Sequence, residues 1–182
     1  LVPDLLGQFS TNYVSNPNRT TNLKLAANKI NGTVLLPGET FSYNKVVGAR
    51  TIAAGYKDAA IYQNGEVVDG LGGGICQIST TLFNAVLYAT LDIVELHNHQ
   101  FVPSYVGAGR DATVVYGAKD FQFKNSRKYA IKIECSVSGG VAKFKIYGLK
   151  ENPEYDIKVN STIISQTSSY IKSATYRTLS LK

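Results

Sequence analysis

The sequence predicts an α+β fold: one domain in which early helices, among them a central buried helix starting at a cysteine, pack on a mainly antiparallel sheet. Three observations lead there. The chain has 182 residues, 44% of them hydrophobic, which is enough for one core and short for two. Apolar residues at helical spacing come early, and short alternating segments separated by turn residues fill the second half. Charged residues make up 18% of the chain and 16 residues are glycine, with no disordered, collagenous or coiled-coil bias.

Taken in order, Asn16-Pro17-Asn18-Arg19-Thr20-Thr21-Asn22 is turn and cap chemistry. Leu23, Ala26, Ala27 and Ile30 then recur on one helical face until Asn31-Gly32 ends the run, predicting a helix over 20–31. Thr33 to Leu36 reads as a short strand, Pro37-Gly38-Glu39 as a turn and Phe41 to Tyr43 as extended chain. Between Val46 and Leu71 glycines interrupt every pattern, leaving strands at Ala59–Gln63 and Glu66–Val68 around Asn64-Gly65. Ser79 through Leu91 carries Leu82, Phe83, Val86 and Leu87 without Gly or Pro, the best helix in the chain and apolar enough to be buried.

After Asp92 the expected strands are Ile93–Glu95, Phe101–Val106, Ala112–Tyr116, Phe121–Lys124, Tyr129–Val137 and Val141–Tyr147. Asn152-Pro153 marks a break, which divides the chain into a domain over 1–150 and a segment over 151–182, read as a strand extension or the start of a following module.

The net charge is +6, a balance that draws phosphate, anionic lipid or an anionic wall polymer. The basic residues are scattered, and the densest group, Lys119, Lys124, Arg127 and Lys128, sits beside Asp120 among ordinary strand residues. A solvated basic face is the better reading, and no nucleic-acid partner is expected. No apolar run reaches the ~18 residues that a membrane-spanning helix needs, so membrane contact is expected only through a segment outside this chain. Leu1-Val2-Pro3 lacks a starting Met, as a piece trimmed from a larger exported or anchored protein would.

The chemistry gathers around Cys76, set in Gly72-Gly73-Gly74-Ile75-Cys76-Gln77 at a helix start. Free N–H groups and the positive end of the helix dipole stabilise a thiolate there. The glycines permit close backbone approach, which suits N–H groups aimed at a substrate oxygen. Cys135, in the alternating run Ala130 to Val137, reads instead as a structural strand residue. A thiol enzyme also needs a base, and the two histidines of the chain, His97 and His99, sit together in Leu96-His97-Asn98-His99-Gln100. Asp111, Glu95 and Asn98 are candidates to orient the base, with Asp111 favoured. Arg110 and Arg50 are candidate anchors for a substrate carboxylate.

The same residues have rival uses. Cys76, His97 and His99 could supply three zinc ligands, but no close cysteine pair or His-Glu-x-x-His run strengthens this, and no metal or cofactor is expected. The glycine string lacks the Gly-Lys-Ser/Thr ending of a phosphate loop. Cys76 could also be only a packed residue of a wall-binding module.

The motifs Asn28-Lys29-Ile30-Asn31-Gly32, Leu36 through Asn44, Gly72 through Leu82, and Gly109-Arg110-Asp111-Ala112-Thr113-Val114 resemble the VanW domain of bacterial cell-wall and glycopeptide-resistance loci, over about residues 10 to 150. The resemblance implies a peptidoglycan L,D-transpeptidase that builds 3→3 cross-links on stem peptides, with Cys76 as nucleophile, in an extracytoplasmic setting at the cell wall or the outer face of the membrane. The Ser/Thr-His-Gly-Cys signature of the better-known L,D-transpeptidases is absent. A thiol amidase or peptidase acting on the same stems would share the acyl-enzyme and differ in using water as acceptor. The expected catalytic set is Cys76, His99 (or His97) and Asp111. The expected substrate contacts are Gly73, Gly74, Gln77 and Ser79 on the motif, with Arg50, Arg110 and Tyr105.

Overall fold

The structure, a computed structural model, describes residues 3–151, 153 and 155–182. It is α+β, with three helices and antiparallel strands. The strands divide among four small sheets rather than forming one.

The first helix, α1 (Pro17–Ile30), starts three residues earlier than the apolar pattern suggests. The Asn16 side chain accepts hydrogen bonds from the N–H groups of Asn18 and Arg19 at 3.0 and 3.2 Å, and Pro17 occupies the first turn, where its missing N–H costs nothing. The strand β1 (Asp4–Asn12) precedes it and is not signalled by the sequence pattern, because its exposed and buried positions do not follow a simple alternation. A bulge between Leu5 and Gly7 shifts the register partway along.

The largest sheet runs β1-β9-β8-β2, where β2 is Val34–Leu35, β8 Ile131–Ser138 and β9 Val141–Gly148. A second sheet, β3-β7-β6, joins Thr40–Ser42, Gln122–Lys124 and Asp92–Glu95. Two hairpins stand apart: β4 (Asp58–Gln63) with β5 (Glu66–Leu71), and β10 (Tyr155–Gln166) with β11 (Ile171–Leu181). The second hairpin meets the rest of the chain through Val159 in the core, Thr175, whose Oγ1 donates to the Gly109 carbonyl, and Arg177, whose Nη1 donates to the carbonyls of Leu87 and Leu91. Asn152, half of the expected Asn152-Pro153 break, lies outside the described residues.

Helix α3 (Ile75–Tyr88) is central and nearly all buried. Ile78, Leu82 and Val86 are fully enclosed, in one core with Leu23 and Ile30 of α1 and with Ile133, Phe144 and Ile146 of the large sheet. The tight interior of such a core fixes where the start of α3 lies.

Three local expectations differ from the structure. Tyr43 opens a short helix, α2 (Tyr43–Val47), capped by Ser42, whose Oγ accepts the Lys45 N–H at 3.2 Å. Phe101–Val106 is irregular rather than a strand, with Pro103 lacking an N–H for any ladder. Ala112–Tyr116 is extended but spends its N–H groups elsewhere than on a sheet: Ala112 N–H on Thr80 Oγ1, Thr113 N–H on the His97 carbonyl and Val114 N–H on Cys76 Sγ. That path brings the segment against α3. Among the described residues, no helix is long and apolar enough to cross a membrane.

Candidate active site

The site begins with a turn that tolerates only glycine. A Cβ on Gly73 would sit 2.5 Å from the Ala59 carbonyl oxygen, and Gly74 has φ +109°, a left-handed conformation costly for other residues. Asn22, buried in α1, locks the turn from behind. Its Nδ2 donates to the Gly73 and Lys57 carbonyls at 3.0 and 2.9 Å, while its Oδ1 accepts the Lys57 N–H at 2.8 Å. Cys76 therefore lies in the first turn of α3. The Ile75 and Gln77 amides close the turn on Gly72 O and Gly74 O. Among the described residues, the Gly74 and Cys76 amides have no partner, in keeping with the orphan N–H groups of a helix start.

His99 and Asp111 form a hydrogen-bonded pair that shares the cavity with the sulfur through His99. His99 Nδ1 meets Asp111 Oδ2 at 2.7 Å, and the His99 backbone N–H donates to the same oxygen at 2.6 Å. Asn98 Nδ2 steadies Asp111 by donating to its Oδ1 at 3.1 Å and to its carbonyl at 2.9 Å. With Nδ1 so committed, Nε2 is the ring nitrogen left to face Cys76, the group with which His99 is electrostatically coupled. Around the sulfur, Thr113 Oγ1 lies at 3.5 Å and the Val114 N–H donates at 3.5 Å.

The electrostatics follow from these contacts. Burial raises the Cys76 thiol, but the hydrogen bond and positive charge of His99, with Thr113 and the Val114 amide, outweigh it and bring the thiol below its ordinary value. Burial works against protonated His99, yet its bonds to Asp111 and Cys76 raise it to about 9. Asp111 is held below the usual carboxylate range, its burial overcome by the His99 side chain and backbone N–H. The two shifts favour a thiolate beside an imidazolium more than either group would alone. Cys135 differs: burial pushes it up to about 12, and its thiol donates to the Ala27 carbonyl at 2.9 Å. Both cysteines are free.

Cys76 opens into a cavity of about 560 Å³, within the range of small-ligand sites. Of the expected residues, Cys76, His99, Gly74, Gln77, Arg50 and Tyr105 line it. Burial, with Cys76 close by, pushes the Tyr105 phenol far up, so it stays protonated. Phe101 packs at a tilt against both His99 and Tyr62, with ring centroids 5.1 and 3.9 Å away, and lines the cavity.

Other expected residues lie elsewhere or act differently. His97 pairs with Glu95 at 2.9 Å and does not line the cavity, so the three-ligand set with Cys76 and His99 is not assembled. Among the described residues, no group of three His, Cys, Asp or Glu side chains could hold a metal. Arg110, expected at the substrate, instead donates to Asn84 Oδ1 at 2.6 Å and the Val159 carbonyl at 3.3 Å and lies over the Phe9 and Tyr88 rings. Ser79 is fully buried and donates to the Ala112 carbonyl at 2.6 Å, fixing the segment that carries Asp111. Gly73 serves the turn rather than the cavity wall.

Two contributors are not evident from the sequence. Thr113 reaches the sulfur from within the Gly109–Val114 motif. Arg19, in the first turn of α1, lines the cavity and donates from Nη2 to Gln77 Oε1 at 2.8 Å and from Nη1 to the Ala60 carbonyl at 3.4 Å. Its spacing to Asn22, Leu23 and Ala26 puts it on the inward face of α1, and that spacing is the one signal the sequence carries for it.

Comparison with known proteins bears on this geometry. The family described as VanW like protein is matched over residues 18–147, a span that includes the glycine turn, both histidines and Asp111. YoaR of Bacillus subtilis (strain 168) is 47% identical over 143 residues, covering 78% of this chain and 47% of that protein. The vancomycin B-type resistance protein VanW of Enterococcus faecalis (strain ATCC 700802 / V583) is 37% identical over 113 residues, covering 59% of this chain and 41% of that protein. The chain thus spans about half the length of the curated relatives it matches. No solved structure matches it.

Proposed function

The chain belongs to the VanW family, and on that premise we propose a cell-wall function for it, as an extracytoplasmic peptidoglycan L,D-transpeptidase working through a thioester on Cys76. The observation that carries this reading is the line Cys76–His99–Asp111 opening into a peptide-sized cavity. The name of the Enterococcus relative, a vancomycin resistance protein, supports a substrate in the wall.

In the first half-reaction the Cys76 thiolate attacks the carbonyl carbon that precedes the terminal D-Ala of a tetrapeptide stem. The C–S bond forms, and the oxyanion meets the unused Cys76 and Gly74 N–H groups. As the C–N bond breaks, His99 gives its Nε2 proton to the leaving D-Ala amine. In the second half-reaction the neutral side-chain amine of another stem attacks the thioester. The now neutral His99 takes the proton released, the C–S bond breaks, and the thiolate–imidazolium pair returns. Asp111 holds Nδ1–H throughout, so Nε2 faces the reacting atoms in both steps.

Purified disaccharide-tetrapeptide supplies the test. The protein should convert it to 3→3 dimers, and Cys76→Ala should form none. Dimer formation retained in that variant would sink the proposal. Products consisting only of hydrolysed stem would point to an amidase or peptidase instead.

A further inference from the structure

Two guanidinium groups line the cavity beside Cys76, and no Asp or Glu does among the described residues. Among those residues, neither arginine has a carboxylate partner. Arg19 is held by Gln77 Oε1 and the Ala60 carbonyl, and Gln77 is held in turn by donating from Nε2 to Thr11 Oγ1 at 3.0 Å and the Asn12 carbonyl at 2.7 Å. Arg50 donates from Nη1 to Asn44 Oδ1 at 2.8 Å and the Gly48 carbonyl at 3.0 Å, between the rings of Tyr43 and Tyr116. Its Nη2 is buried with no hydrogen-bond partner among the described residues. A cation enclosed by neutral groups is costly unless something anionic arrives, and fixing it beforehand makes a site for that anion.

The two arginines sit at different ends of the glycine turn. A Cβ on Gly72 would come within 3.3 Å of Arg50 Cβ, and one on Gly74 within 3.3 Å of Arg19 Cγ. A ligand lying along the turn with its acyl carbon at Cys76 therefore passes both.

We propose that the cavity is built for an acyl peptide bearing two carboxylates, one met by Arg19 and the other by Arg50, so that stems with free carboxylates are used in preference to amidated ones. The substrate preference rests on the transpeptidase reading, whereas the charge selectivity of the cavity does not. Gln77, itself on the cavity wall, holds Arg19 in place.

The test exploits the Cys76 thiolate as a reporter. Iodoacetate and iodoacetamide alkylate the same sulfur and differ by one negative charge, so the ratio of their rates cancels any change in thiolate content. A positively charged cleft concentrates anions by about 10-fold or more. The iodoacetate-to-iodoacetamide ratio should be about 10-fold higher at Cys76 than in the urea-unfolded chain, and Arg19→Gln and Arg50→Gln should each lower it several-fold. Continued slow alkylation of Cys135 shows that each variant is folded, because its partly buried thiol, held up to about 12 and bonded to the Ala27 carbonyl, gains reactivity when that contact is lost. In parallel, tetrapeptide stems with free carboxylates should show a lower KM than amidated ones, and Arg19→Gln should erase the difference. A ratio at Cys76 equal to that of the unfolded chain, or unchanged in both folded variants, would overturn the proposal. That outcome is independent of whether dimers form, so the failure of this inference and the failure of the transpeptidase reading are separable.

Discussion

Asp111 grips His99 twice through one oxygen, Oδ2 accepting the ring Nδ1–H at 2.7 Å and the backbone N–H at 2.6 Å. The double grip sets both tautomer and ring direction. With Asn98 bonded to the other carboxylate oxygen, Asp111 has little freedom to rotate away.

Replacing Asp111 by Asn removes the charge and leaves an amide that can present either end to the ring. The rate of thioester transfer should fall by up to about 10⁴-fold, as when the orienting carboxylate of a triad is neutralised. His99 should titrate well below its present value of about 9, which the NMR shift of its ring protons against pH would read directly. A variant with both rate and titration unchanged would assign Asp111 a purely structural role.

The two histidines should separate cleanly. His99→Ala should cost about 10²- to 10⁴-fold in kcat/KM, the usual worth of a positioned acid–base group. His97, paired with Glu95 and outside the cavity, should cost less than about 3-fold when replaced by Ala, since changes to exposed pairs have small effects. Equal losses in both variants would contradict the geometry.

The pH profile follows from two opposed shifts. Cys76 loses its proton below the ordinary thiol range, and His99 keeps its proton up to about 9. Transpeptidation should rise as the thiolate forms and fall as pH passes about 9 and His99 loses the proton owed to the leaving amine. Alkylation of Cys76 needs no acid, so its rate should not fall on the alkaline side.

Thiol selectivity is a simpler check. Cys76, at a helix start beside His99, is held below the ordinary thiol value, whereas burial holds Cys135 up to about 12. At pH 7 a small neutral alkylating agent should modify Cys76 at least about 10²-fold faster than Cys135, since each unit of pKa is tenfold in thiolate fraction. Peptide mapping after brief exposure gives the ratio.

Gly73→Ala tests the turn itself. Its Cβ would meet the Ala59 carbonyl oxygen at 2.5 Å, and the backbone can yield only by moving β4 away from α3. The variant should lose about 1–3 kcal/mol of stability in urea unfolding, as overpacked sites do, and should lose Cys76 reactivity along with it.

Much of this arrangement is legible in the amino-acid sequence. The apolar run through Leu82, Phe83, Val86 and Leu87 announces a buried helix, and the glycines ahead of Cys76 announce a turn at its start, because both signals are local. Asp111 can be favoured as the orienting group, but its bond to His99 depends on the Ala112–Tyr116 segment running beside α3, and the hydrogen bonds that hold it there are long-range. Alternating residues in that segment suggest a sheet strand, since period-two patterning reports extended chain and not its partner. Arg110 looks like Arg50 in composition alone, and packing against Phe9 and Tyr88 separates them. Arg19 is hidden because an arginine in a first helical turn ordinarily faces water.

If Cys76 carries an acyl group from a peptidoglycan stem, intact-protein mass spectrometry will detect it after incubation with a disaccharide-tetrapeptide whose side-chain amine is acetylated, so that the stem can donate but not accept. The expected spectrum holds a single adduct equal to the stem less its terminal D-Ala, mapped to Cys76, accumulating when no acceptor amine is supplied and discharged when one is added. No adduct while 3→3 dimers still accumulate, or an adduct on any residue other than Cys76, would rule out Cys76 as the acyl carrier.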